Sequence, residues 1–183
     1  MNARAFCYRC HKAQRTCVCA SVPRVANRTE VIVVQHPREQ RHPIGSLRFA
    51  RLGLERCRIA VADTRGPQGE GLVSSVDIPA DAALLYPGEG ARELAELPEH
   101  ERPRTLVLLD GTWTTVRKLL AGDPRLRALP RVRVTPTVEQ RYRIRREPRG
   151  ECMSTLEAMI AAMAILEEER GAEWESLLAA FDQ

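Results

Sequence analysis

The chain has 183 residues, enough for one domain with a small appendage, and 28 Lys+Arg against 24 Asp+Glu give it a net charge of +4. Apolar residues make up 44% and charged residues 28%, which excludes wholesale disorder, and no apolar run approaches the roughly 18 residues needed to span a bilayer. The basic set is 26 Arg and only 2 Lys, Lys12 and Lys118. The opening MNARAFCYRCHK has no apolar core of a signal peptide, so the expected compartment is a reducing cytoplasm. There, six cysteines read as metal ligands or chemistry and not as disulfides.

Residues 1–28 form an N-terminal arm with few core-sized aliphatics. It cannot fold on apolar burial alone. Cys7, Cys10, Cys17 and Cys19 can wrap one tetrahedral zinc, and the metal would supply the missing folding energy. Four thiolates fill the shell, so such a zinc is structural and not catalytic. The plainer reading is four free thiols in a tail.

TEVIVVQ (29–35) predicts a buried parallel strand that His36-Pro37 stops. His36, Arg38, Glu39, Arg41 and His42 then sit at that strand's C-terminal end, the edge of an open α/β sheet where ligands bind. SLRFARLGLER (46–56) predicts a helix, RIAVAD (58–63) a strand, and TRGPQGEG (64–71) a loop. Strand pieces are expected across 73–87, and PGEGARELAEL turns into a short helix. TLVLLD (105–110) is the clearest strand after the first, followed by a helix over 111–122 with Trp113, Val116, Leu119 and Leu120 on its apolar face. Asp110 therefore faces the same edge as His36. It could take a proton or hold a ribose or amine, although Asp110 and Thr112 also suit simple helix capping, and Trp113 suits the core.

VRVT (132–135) is the last expected strand. The stretch 136–151 holds Arg141, Arg143, Arg145, Arg146 and Arg149 around Tyr142, a layout that suits RNA phosphates and bases, or else a solvated basic face. Ser154 and Glu157 make a capping box for a long helix near 155–170, and WESLLAAF supplies a last short one. Strands alternating with helices predict an α/β domain with a mostly parallel sheet flanked by helices, over residues 29–183.

Taken in order, the cysteine arm, HPRE…HPIG, LYPGEGA (85–91), the D-x-T-W of Asp110, Thr112 and Trp113, and YRIRREP followed by STLEA resemble the DTW-domain family over residues 7 to about 160. Ser46 stands where that family often has Thr, a conservative departure. The resemblance implies a fold related to the SPOUT methyltransferases, with a C-terminal trefoil knot. It implies transfer of the 3-amino-3-carboxypropyl group of S-adenosylmethionine to the imide nitrogen of a uridine in tRNA, releasing 5′-methylthioadenosine. On that reading Asp110 is the base or orients it, Glu39 is its competitor, and Thr112 and Trp113 belong to the catalytic set. Leu109, Asp110, Gly111, Ser154 and Thr155 line the donor site. Arg143 or Arg145 holds the donor's carboxylate. His36, Arg38, His42, Arg141 and Arg146 face the RNA, and the zinc arm docks it. A monomer or homodimer is expected, with no membrane and no obligate protein partner. Two alternatives stay open: a methyltransferase on the same fold, and a non-catalytic zinc-containing RNA-binding protein.

Overall fold

The computed structural model describes residues 5–40, 45–65, 72–135 and 153–181. In the arm, β1 (Phe6–Cys7) and β2 (Lys12–Ala13) form a small antiparallel hairpin. The sheet strands are β3 (Glu30–Gln35), β4 (Cys57–Val61), β7 (Ala82–Leu85), β8 (Arg92–Glu93), β9 (Thr105–Asp110) and β10 (Arg131–Arg133). Their order is β4-β3-β9-β7-β10-β8, and every pairing is parallel. A second, two-stranded ribbon pairs β5 (Thr64–Arg65) with β6 (Leu72–Val73). The mostly parallel α/β architecture expected from sequence is therefore present.

Helices cover both faces. α1 (Leu47–Gly53), α4 (Thr155–Leu166) and α5 (Gly171–Phe181) bury Val31, Val33, Leu106 and Leu108 on one face. α2 (Trp113–Gly122) and α3 (Pro124–Ala128) bury Ile32, Val34, Val107 and Leu109 on the other. This even–odd split follows from the two-residue period of a strand and explains why β3 and β9 are apolar at every position between their polar end residues. Each such side chain contributes about 1.5–3 kcal/mol through burial, so one charge at Ile32 or Val107 would remove a central strand from the core.

Several boundaries differ from expectation, each for a local reason. PGEGARELAEL forms no α-helix: Arg92–Glu93 pair with β10 as an edge strand, and Leu94–Glu96 make one 3-10 turn. Strand does not run through 74–81. α3 was not anticipated; the Asp123 carboxylate accepts from the Arg125 N–H and Pro124 occupies its first turn, a regular helix start. The long helix stops at Leu166, because Glu167 leaves the helical region at φ −135°. A 3-10 turn over Glu168–Arg170 leads into α5, which is longer than WESLLAAF suggested.

That break has a use. Glu167 is buried, and its Oε1 accepts from the backbone N–H groups of Arg28 (2.8 Å) and Thr29 (2.7 Å). Asn27 adds four bonds: its Oδ1 accepts from the N–H of Glu55 and Arg56, and its Nδ2 donates to the carbonyls of Thr29 and Arg56. The arm thus joins the sheet through a bonded junction, not a slack linker. No helix among the described residues is long and apolar enough to cross a membrane.

Candidate functional site

β3 leads on to β4 at one side of the sheet, while β9 and the remaining strands lie at the other. Beyond Gln35 the chain passes to α1 on one face. Beyond Asp110 it passes to α2 on the opposite face. The C-terminal ends of β3 and β9 therefore bound a crevice at a topological switch point, where open α/β sheets take their ligands.

Gln35 and Asp110 are partners in register. Strand alternation turns both toward α4, on the side of Val33 and Leu108. There, Gln35 Nε2 donates to Asp110 Oδ2 (3.0 Å) and Thr155 Oγ1 donates to Asp110 Oδ1 (3.0 Å). A buried carboxylate must be bonded to be tolerated, and these two donors fix its orientation. Thr155 is placed by its neighbour: Ser154 Oγ accepts from the Glu157 N–H, and the Glu157 carboxylate accepts from the Ser154 N–H, so the capping box is present and α4 starts at Asp110.

His36 donates its backbone N–H to the Asp110 carbonyl (2.9 Å), and its Nδ1 accepts from the Arg38 N–H (3.3 Å). Burial, then the Arg38 charge, hold the imidazole below its ordinary pKa, so it is neutral at pH 7 with its proton on Nε2. Arg38 is exposed and Glu39 half-buried. Gly111 serves close approach: a Cβ there would lie 2.4 Å from Thr115 Oγ1 and 3.5 Å from His36 Cβ. Thr112 Oγ1 accepts from the Thr115 N–H and caps α2. Trp113 is half-buried with its ring 6.2 Å from that of Tyr86, which follows β7. In the loop beyond, Gly88 and Gly90 take φ of 145° and 76°, which favour glycine.

The structure thus gathers His36, Arg38, Glu39, Asp110, Gly111, Thr112, Trp113, Ser154 and Thr155 at one sheet edge. Leu109 differs: its side chain packs in the α2-face core, so only its backbone can reach a ligand. His42, Arg141, Arg143, Arg145 and Arg146 lie outside the described residues. Sequence reasoning missed Gln35 and named Tyr86 only as part of LYPGEGA, without a role. Gln35 was detectable, as a polar residue closing an apolar strand in the same way as Asp110.

In the arm, the sulfurs of Cys7, Cys10, Cys17 and Cys19 lie within 4.8 Å of one another. Cys7–Cys19 and Cys10–Cys17 are each separated by 3.7 Å. Four sulfurs at the usual zinc distance of about 2.3 Å form a tetrahedron with edges of about 3.8 Å, so the donor set fits a metal ion. The backbone N–H groups of Cys10 and Arg9 lower the Cys7 thiol to about 6, whereas burial and neighbouring thiols push Cys19 up to about 12. That split is four sulfurs competing for negative charge, a competition that a divalent cation removes. Arg48 ties the centre to α1: its guanidinium donates to the Cys10 carbonyl (3.3 Å), while its Nε donates to the Gly45 carbonyl just before the helix (2.9 Å). Arg51 bonds the Arg9 carbonyl.

The chain matches the DTW domain family model over residues 4–183. It is 31% identical over 172 residues to tRNA-uridine aminocarboxypropyltransferase 2 of Drosophila melanogaster, covering 91% of this chain and 68% of that one. It is 28% identical over 171 residues to the protein of the same name from Macaca fascicularis, covering 90% of this chain and 57% of that one. With tRNA-uridine aminocarboxypropyltransferase A of Arabidopsis thaliana it shares 22% identity over 205 residues, 92% of this chain and 75% of the plant protein. The chain therefore spans little more than half the length of the primate relative. No solved structure matches it. The motifs gathered at one sheet edge and the near full-length match agree: the chain belongs to the DTW domain family.

Proposed function

We propose that this chain is an enzyme that moves the 3-amino-3-carboxypropyl group of S-adenosylmethionine to the imide nitrogen of a uridine in tRNA. The observation that carries the reading is Asp110, oriented between Gln35 and Thr155 where β3 and β9 send the chain to opposite faces. The names of the relatives supply the substrate class.

The donor supplies an electrophilic methylene carbon beside its sulfonium. A nitrogen–carbon bond forms, the carbon–sulfur bond breaks with its electron pair left on sulfur, and the imide proton is lost. Asp110 receives that proton or orients the group that does, with Glu39 as its competitor. A buried carboxylate also suits the donor's cationic groups. Ser154 and Thr155 bring the N-terminus of α4 to the site. Neutral His36 offers an Nε2–H donor to a base, with Arg38 exposed beside it for phosphate. Thr112 and Trp113 set the start of α2 at the crevice, and the backbone at Leu109 and Gly111 lines it. Arg143 or Arg145 would hold the donor's carboxylate, while His42, Arg141 and Arg146 would face the RNA. The described residues on either side of 136–152 are Thr135, beyond β10, and Met153, before α4.

The four cysteines would hold a structural zinc in an arm, residues 1–28, that docks RNA for the catalytic domain, residues 29–183. A SPOUT-like fold with a C-terminal trefoil knot and a cytoplasmic location complete the reading. The test is one incubation of purified protein with S-adenosylmethionine and unmodified bulk tRNA, with the small-molecule product identified by mass. Methylthioadenosine formed only with tRNA supports the proposal. S-adenosylhomocysteine would make the protein a methyltransferase, and donor binding without any product would refute the transfer to tRNA.

A further inference from the structure

The arm carries three aromatic rings that its metal set does not use. Tyr8 is 87% exposed and Phe6 48%, the two large apolar side chains most open to solvent among the described residues. Neither supports the core. They are organised nonetheless: Phe6 meets Tyr8 edge to face at 5.7 Å, and stacks on the exposed His11 ring at 6.1 Å and 26°.

His11 is the second observation. The turn after Cys10 needs a left-handed residue, and His11 takes φ 55° there while its N–H donates to the Cys7 carbonyl (2.8 Å). Glycine takes this conformation without strain, so a ring held there despite the strain points to a use for the ring. His11 Nε2 also lies 3.4 Å from the Arg51 guanidinium. Along the segment itself the charge has one sign, although Arg24 and Arg28 pair with Glu55 and Glu169 of the domain. Residues 1–29 include Arg4, Arg9, Lys12, Arg15, Arg24 and Arg28 and no Asp or Glu. The two formal negative charges of a zinc tetrathiolate leave that segment positive.

We infer that Phe6, Tyr8 and His11 form a stacking platform for one unpaired base of the RNA, with the exposed Arg9 and Arg15 taking the flanking phosphates. This rests on the tRNA reading given above. Paired bases have their faces covered by their neighbours, whereas an unpaired base offers a flat face to an exposed ring. An acidic peptide would engage the arginines but leave Tyr8 unexplained. Arg48, in α1, donates to the Cys10 carbonyl and so ties the arm that carries the platform to that helix.

The test uses the full-length, zinc-loaded protein and unmodified bulk tRNA in filter binding across a salt series, with metal content measured for each variant. Y8A should retain zinc and lose roughly 5- to 100-fold in affinity, the usual range for one stacked base. Y8F should bind like wild type, because stacking needs the ring and not the hydroxyl. The salt slope of Y8A should stay unchanged, whereas Arg15→Ala should lower it by about one. Wild-type affinity in zinc-loaded Y8A overturns the inference. Equal losses in Y8A and Y8F would assign a hydrogen bond instead and also overturn it. Reduced turnover at unchanged tRNA affinity would assign the rings to another role. A wild-type protein that fails to retain tRNA is a different result, and defeats the substrate reading as well.

Discussion

Asp110→Asn is nearly isosteric, so its effects separate charge from shape. The carboxylate accepts from Gln35 Nε2 and Thr155 Oγ1, each at 3.0 Å, in a buried position. Asparagine can keep its oxygen toward Gln35, and the Thr155 hydroxyl can reverse and accept from the new amide. Two hydrogen bonds to a charged acceptor, each contributing about 1.5–3 kcal/mol, become two neutral ones near 1 kcal/mol, so the expected loss of stability is about 1–3 kcal/mol. Turnover should fall further, by roughly 10²- to 10⁴-fold, if the carboxylate takes part in proton removal. Thr155→Val removes one donor and should cost about 1–2 kcal/mol, with a coupling to Asp110→Asn of about 1 kcal/mol because the two changes break the same bond. Urea unfolding and single-turnover rates on each variant read out both quantities. A folded Asp110→Asn protein with wild-type turnover, or strictly additive stabilities, would refute the reasoning.

Other perturbations test the supports of the site. Glu167→Ala leaves the N–H groups of Arg28 and Thr29 without their acceptor and should cost about 3–5 kcal/mol in urea melts, while Glu167→Gln, which keeps an oxygen for both but loses the buried ion pair with Arg170, should cost less than Glu167→Ala. Gly111→Ala places a Cβ 2.4 Å from Thr115 Oγ1 and should lose about 1–3 kcal/mol; adding Thr115→Ala removes that clash, so the double variant should be more stable than the sum of the singles. Cys17→Ser should release the metal and lower tRNA affinity, and full metal content by atomic absorption would contradict the ligand assignment. His36 has its pKa lowered by burial and Arg38, with Lys118 adding to the shift and Glu39 opposing it. The unfolded chain then binds the proton first, so stability should fall as pH drops below about 6.5, at no more than about 1.4 kcal/mol per pH unit. Unfolding free energies between pH 7 and 5 should show this slope, and His36→Gln should reduce it.

The central strands were legible because burial on both faces makes the middles of β3 and β9 continuous apolar runs, and their polar last residues mark where the sheet ends at the crevice. The Ser154 box was legible because both of its members lie within one turn of helix. The cysteine cluster followed from ligand spacing alone. What escaped depends on partners distant in sequence. Arg92–Glu93 became strand through pairing with β10, against a helical local pattern. Glu167 broke a long helix to reach Arg28 and Thr29, 139 and 138 positions away. Gln35 looked like a strand end until register placed it beside Asp110. Phe6 and Tyr8 carried no periodicity to distinguish a surface platform from ordinary arm residues.

The account stands most directly on which carbon of the donor leaves with the RNA. Purified protein would be incubated with unmodified tRNA and S-adenosylmethionine labelled either in the carboxypropyl chain or in the methyl group, and the tRNA digested to nucleosides. The account predicts label from the chain alone, in a uridine nucleoside carrying the aminocarboxypropyl group. Label retained from the methyl group would contradict it.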